Sequence, residues 1–135
     1  MNQSDMINLS LEQTVESFGD PTPAVFDVMY QRFPALEQFK SADNEWENYM
    51  MQEILTNFMQ FAEDPKGALA TIRDMFSHHQ LIGVPVEIFK GMYQTLFDVL
   101  SPIFSGPHKA EMVSAWEQNL QLINRCIEEC EERCY

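Results

Sequence analysis

Two imidazoles stand side by side at His78 and His79, near the end of the run LATIRDMFSHHQLIGVPVEIF spanning residues 69–89. Ile72, Phe76 and His79 are spaced by four and three, so His79 closes an otherwise apolar helical stripe. The helix must then stop. Gly83 supplies a flexible exit, Pro85 cannot continue it, and Glu87 opens a new amphipathic segment. An imidazole facing an apolar interior one turn before a helix break is placed to ligate something flat and hydrophobic. The same spacing suits a core histidine whose ring N–H rests on a backbone carbonyl, and spacing alone does not separate the two.

The other residues with chemical capacity are Cys126, Cys130 and Cys134, spaced by four at the end of the chain. On a continuous helix they form one slowly drifting stripe. Side chains one turn apart seldom reach disulfide geometry, so a bond within the helix is not expected. The reading is reduced thiols, Cys126 partly buried and Cys134 exposed, with a redox link between two chains through Cys130 or Cys134 as the alternative. The glutamates around them, Glu128, Glu129, Glu131 and Glu132, read as a solvated helix end. The chain contains no Gly-rich phosphate loop, no G-x-S-x-G elbow and no H-E-x-x-H pair.

The 135 residues suffice for one domain with a single core. Eight basic against 21 acidic side chains give a net charge of −13, which argues against binding to nucleic acid and to anionic membrane surfaces. The longest apolar run falls far short of a membrane span, and the opening MNQSDMINLS lacks the regions of a signal peptide. The expected location is the cytoplasm.

The elements that must position His79 follow from apolar periodicity. Residues 1–6 read as a disordered start, followed by a short helix capped by Ser10, with Gln13 three residues on and Leu11, Val15 and Phe18 as its apolar face. Gly19 and Pro21-Thr22-Pro23 make a turn into a helix carrying Val25, Phe26, Met29, Tyr30 and Phe33, which Pro34 breaks. After a turn-like Ala35–Phe39 segment, Ser41 or Asp43 caps a long helix over about 45–63. Its face is Trp46, Met50, Ile54, Phe58 and Phe61, widened by Leu55 and Ala62. The His79 helix follows a turn at Asp64–Gly67. A further helix is expected over about 86–104, and a last one over about 108–132 with Met112, Trp116, Leu120, Ile123 and Ile127 on one face. No segment alternates with period two. The expected fold class is all-α, with about six helices.

From Pro23 to Arg125 these landmarks resemble a globin, of the single-domain bacterial kind similar to the haem domain of flavohaemoglobins. The resemblance rests on VFDVMYQRFPALEQF, with Phe26, Pro34 and Phe39; on the long helix Trp46–Phe61; on His79 followed by GVPVEIF, with Glu87 and Phe89; and on the last helix with Trp116. The distance to Glu87 and Phe89 selects His79 over His78, which falls to the haem edge or to solvent. Pro34 to Phe39 is one residue shorter than the family pattern, so either Phe39 or Phe33 wedges against the haem. Met50 stands at the gate position, or Tyr49 if the register slips by one.

The resemblance implies haem b, its iron held by His79, among Phe26, Phe39, Met50, Ile54, Phe76, Val84 and Phe89. It implies reversible binding of a diatomic gas (O2, CO or NO) for storage, scavenging or sensing. A wall of Phe26, Met50 and Ile54 has no hydrogen-bond donor for O2 and no acid–base pair for peroxide cleavage. No catalytic residue is therefore expected, with at most weak NO-dioxygenase or peroxidase activity, although the phenol of Tyr30 or Tyr49 would change this. A homodimer is compatible with the sequence. The alternative is a globin-shaped module without haem, acting through protein–protein contacts.

Overall fold

The computed structural model describes residues 3–40 and 42–133, without the side chains of Ser4, Ala62 and Arg133. The architecture is all-α. Helices α1 (Gln3–Ser17), α2 (Thr22–Arg32), α3 (Glu45–Glu63), α4 (Pro65–Leu81), α5 (Val86–Leu100) and α6 (Lys109–Arg133) are joined by short connections. Two of those connections are short 3-10 segments, Pro34–Phe39 of two turns and Ser101–Ile103 of one. Pro102 explains the second: lacking an N–H and clashing with the preceding turn, it ends α5 at Leu100 instead of near Phe104.

The apolar stripe of α6 is buried throughout: Met112, Trp116, Leu120, Ile123 and Ile127 all lie in the core. Trp116 is its centre, fully buried, with the rings of Phe58 and Phe104 at 4.4 and 5.9 Å. The lower part of α3 (Ile54, Phe58, Phe61) and the inner face of α5 (Phe89, Met92, Leu96, Leu100) complete this core. The edge of the Phe33 ring stands against α5 where Gly91 leaves room, since a Cβ there would stand 2.5 Å from the ring.

The N-terminal helix departs from the sequence reading. It begins at Gln3, so residues 3–6 are helical and Met6 is buried. Ser10 is not a cap: it sits mid-helix, its Oγ donating to the Ile7 carbonyl at 2.6 Å and accepting from Trp116 Nε1 at 2.8 Å. Gln13 bonds across to the Ser105 backbone, its Nε2 donating to the carbonyl at 2.9 Å and its Oε1 accepting from the N–H at 3.1 Å. The buried face is Met6, Ile7, Ser10 and Thr14, while Val15 and Phe18 are exposed. Burial of the two hydroxyls costs little because both are bonded: Thr14 Oγ1 donates to the Ser10 carbonyl at 2.9 Å.

At the start of α3 Asn44 is left-handed (φ 60°), and the Asp43 carboxylate accepts the Glu45 N–H at 3.2 Å. Ser41, the other expected cap, lies outside the described residues, as does the side chain of Ala62. Asp64 caps α4 by accepting the Gly67 N–H at 3.1 Å, with Pro65 at the first helical position. The expected turn at Asp64–Gly67 is thus a cap plus the first turn of the helix. Among the described residues, no helix is long and apolar enough to cross a membrane.

Candidate functional site

The end of α4 fixes where His79 stands. Gly83 takes φ 85°, its N–H donates to the Gln80 carbonyl at 3.1 Å, and the Val84 N–H reaches back to the His79 carbonyl at 2.9 Å. This paired arrangement is a Schellman cap, which needs a left-handed residue at the glycine position. It folds Val84 back beside His79. Pro85 is extended and opens α5, so the chain turns sharply and brings Ile88, Phe89 and Met92 to the same place.

A cavity of about 420 Å³ opens there, within the size range of small-molecule sites. It is walled by α2 (Phe26, Met29), the first 3-10 segment (Leu36, Phe39), α3 (Trp46, Met50, Ile54), α4 (Met75, His79), the bend (Ile82, Val84) and α5 (Ile88, Phe89, Met92, Tyr93). Seven of the eight residues singled out from the sequence therefore line one cavity: Phe26, Phe39, Met50, Ile54, His79, Val84 and Phe89. Phe76 does not. It is buried behind the wall, with its ring edge-on to Phe89 at 5.4 Å. At 100° per residue, Met75 lies about 40° from His79 around the helix and Phe76 about 60° away on the other side. Met75 takes the wall position and Phe76 the core position.

The open alternatives separate in the same way. Met50 lines the cavity, whereas Tyr49 is exposed and bonded to Glu53, which raises the pKa of its phenol. Phe39 lines the mouth, 56% exposed, whereas Phe33 packs on Gly91. Tyr30 is held away from the cavity: its phenol donates to Glu47 Oε1 at 2.6 Å. Burial, then that hydrogen bond and the Glu47 charge, hold its pKa well above the usual phenol value. Lys40 Nζ stands 5.2 Å from the Tyr30 ring centre. His78 is exposed.

The polar groups on the wall are few. His79 Nδ1 lies 2.6 Å from the Met75 carbonyl oxygen. A carbonyl only accepts, so Nδ1 carries the proton and, in the neutral ring, Nε2 presents a lone pair. Nε2 has no hydrogen-bond partner among the described residues. The Tyr93 hydroxyl turns toward Asn57 Oδ1 at 3.5 Å. Trp46 Nε1 is buried with no hydrogen-bond partner among the described residues. The lining residues missed by sequence reading include Met29, Trp46, Met75, Met92 and Tyr93. All five stand three or four residues from a residue that was chosen, as Trp46 does from Met50, Met75 from His79 and Tyr93 from Phe89.

No set of three His, Cys, Asp or Glu side chains among the described residues converges on a point where a bare metal ion could be caged. Haem is flat and apolar, carries its own metal, and can take a neutral imidazole whose second nitrogen is held by a carbonyl. The apolar wall and the His79 geometry fit the group.

Cys126 is fully buried, its thiol 3.8 Å from the Leu69 carbonyl with Arg73 Nη1 at 3.9 Å, and Cys130 is also buried. Cys126 is thus more enclosed than its sequence position suggested, and Cys130 is not presented for a link between chains. Cys134 lies outside the described residues. Comparison with protein-family models, with characterised proteins and with solved structures finds no match for this chain.

Proposed function

We propose that this chain is a haem-binding globin that takes up a diatomic gas reversibly, with His79 as the proximal ligand to the iron. The observation that carries this reading is the apolar cavity of about 420 Å³ that His79 lines, since a core histidine would also make the 2.6 Å contact of Nδ1 with the Met75 carbonyl. Beside a bound metal group that contact would fix the tautomer, orient the ring and make Nε2 the better donor. The Schellman cap at Gly83 holds the same residue from the other side, since the His79 carbonyl accepts the Val84 N–H.

When bound, haem would supply an iron able to take O2, CO or NO. The protein's part is to hold the group and keep water off it. Phe26, Met50, Ile54, Val84 and Phe89 supply apolar walls, and Phe39 stands at the mouth. Tyr30 is engaged by Glu47, Tyr49 is outside, and the hydroxyl of the lining Tyr93 turns to Asn57, so none of these phenols is free for the bound gas. Nor does the wall hold an acid–base pair. Storage, scavenging or sensing suits such a site better than peroxide chemistry. A scaffold without haem would leave a large apolar cavity with nothing to fill it.

Titration of the purified protein with haemin tests the reading. A Soret band of a protein-bound haem should grow to one equivalent. His79→Ala should weaken retention by more than the roughly 100-fold that loss of a supporting outer partner costs, while His78→Ala should leave it largely intact. Retention lost in the His78 variant and kept in the His79 variant would overturn the assignment.

A further inference from the structure

Helices α3 and α4 form a hairpin about Asp64. Near the turn they are pinned by two hydrogen bonds, Asn57 Nδ2 to the Ala68 carbonyl at 3.2 Å and Thr71 Oγ1 to Gln60 Oε1 at 3.1 Å. Farther from the turn both helices line the cavity, α3 with Ile54, Met50 and Trp46, and α4 with Met75 and His79. Met50 and His79 stand fourteen and fifteen residues from Asp64. At 1.5 Å per residue that is about 21 and 22 Å along the two arms, so the two residues stand at similar distances from the turn on arms that both line the cavity.

Few side chains of the wall besides His79 can donate an electron pair to a soft or borderline metal. Trp46 offers an N–H donor only, and the Tyr93 hydroxyl turns to Asn57. Four thioethers remain: Met29, Met50, Met75 and Met92. Met29 and Met92 are packed into the core at 1% and 6% exposure. Met75 is one turn before His79, on the same arm. Met50 alone of the four combines a partly buried side chain, packed against the edge of the core, with the arm across from His79. Its unbranched chain swings easily, and its sulfur is neutral, so approaching the iron buries no charge in the apolar wall.

We propose that Met50 supplies the second axial donor, so that His79 and Met50 together form an axial pair on the iron and an incoming gas must displace the thioether. The proposal rests on the haem reading above and adds to it a competitive gate. A methionine opposite a histidine raises the reduction potential of the iron. It also lowers the apparent gas affinity by the fraction of time the thioether is dissociated.

The test uses the full chain loaded with haemin. The native ferric complex should be low-spin and show the charge-transfer absorption of a thioether–iron bond. Met50→Leu keeps the apolar volume and removes the sulfur. Its complex should still form through His79, but high-spin, without that absorption and with a lower reduction potential. If Met50 holds the iron about nine-tenths of the time, CO association with the reduced variant should be about tenfold faster. A native complex that is high-spin, or a Met50→Leu complex with unchanged spectrum and CO rate, overturns the axial pair while leaving His79 and the cavity reading intact. A native protein that takes up no haemin overturns both.

Discussion

The two tryptophans mark two regions built on different terms. Trp116 is fully buried among Phe58, Phe97 and Phe104, and its indole N–H reaches Ser10 across more than a hundred residues of sequence. Ser10 in turn spends its own proton on the Ile7 carbonyl. Trp46 is half-buried beside Phe26, and its N–H is enclosed without a hydrogen-bond partner among the described residues. Around Trp116, aromatic rings fill the space and the buried hydroxyls are bonded. Around Trp46 the wall is methionine-rich, and Phe39 and Ile82 at the mouth are 56% and 63% exposed. The first region is finished by folding alone. The second has apolar surface that a bound group would cover, at about 25 cal/mol per Å² of area removed from water.

Ser10→Ala is the sharpest way to make the first region resemble the second. It leaves the Trp116 N–H buried and unbonded at the centre of the core, which should cost about 1–3 kcal/mol. Urea unfolding should show this as a lower midpoint with an unchanged slope. A change within about 0.5 kcal/mol, the ordinary range for a surface position, would show that the Trp116 N–H finds another acceptor and that the contrast between the two indoles is overstated.

The legibility of the sequence follows the same division. The stripes of α3, α5 and α6 were readable because their buried residues are apolar and recur every three or four positions. The buried face of α1 was not, because Ser10 and Thr14 occupy it. A hydroxyl is buried only once its partners are known, and those of Ser10 come from Ile7 and from Trp116 in the last helix. Hydrophobic spacing therefore chose Leu11, Val15 and Phe18, of which Val15 is 69% exposed. The candidate site was legible where it follows a helix face, as at Phe26, Met50, Ile54 and Phe89. Phe76 failed because Met75 and Phe76 flank His79 on opposite sides at comparable angles, about 40° and 60°, and spacing alone does not say which side faces the wall. The Asn57–Tyr93 contact and the Glu47–Tyr30 pair had no sequence signal, since each joins residues from different helices.

Alkaline titration probes the two tyrosines at the join of these regions. Tyr93 lines the cavity and packs on Phe58 at 5.8 Å; burial, then the nearby Cys126 and Glu53, raise its pKa. Tyr30 is raised by burial and by Glu47. Both phenols thus keep their protons in the folded chain at pH values where the unfolded chain releases them. The folded state binds more protons, so stability is fully present below about pH 10, the unfolded phenol value, and falls as pH rises beyond it. For each raised phenol the loss should build from about 0.7 kcal/mol per pH unit at that point toward about 1.4 well above it. Tyr30→Phe should remove one share of this slope between pH 10 and 11, and Tyr93→Phe the other. A slope unaltered in both variants would place the alkaline sensitivity elsewhere.

The smallest effect belongs to Trp46. Trp46→Phe keeps an aromatic ring against Phe26 and deletes an N–H that has no hydrogen-bond partner among the described residues. The phenyl ring buries less apolar area than the indole, a loss limited by the half-buried position. Removing an unsatisfied donor works the other way, by up to the 1–3 kcal/mol that such a group costs when enclosed. The two contributions oppose each other, and stability of the haemin-free protein should change by less than about 0.5 kcal/mol. That outcome differs from Ser10→Ala in size, although both variants alter hydrogen bonding at a tryptophan. Chemical unfolding of the two variants side by side reads the difference. A loss of 1–3 kcal/mol at Trp46 would mean that its N–H is bonded in solution, and the wall of the cavity would then be as finished as the core around Trp116.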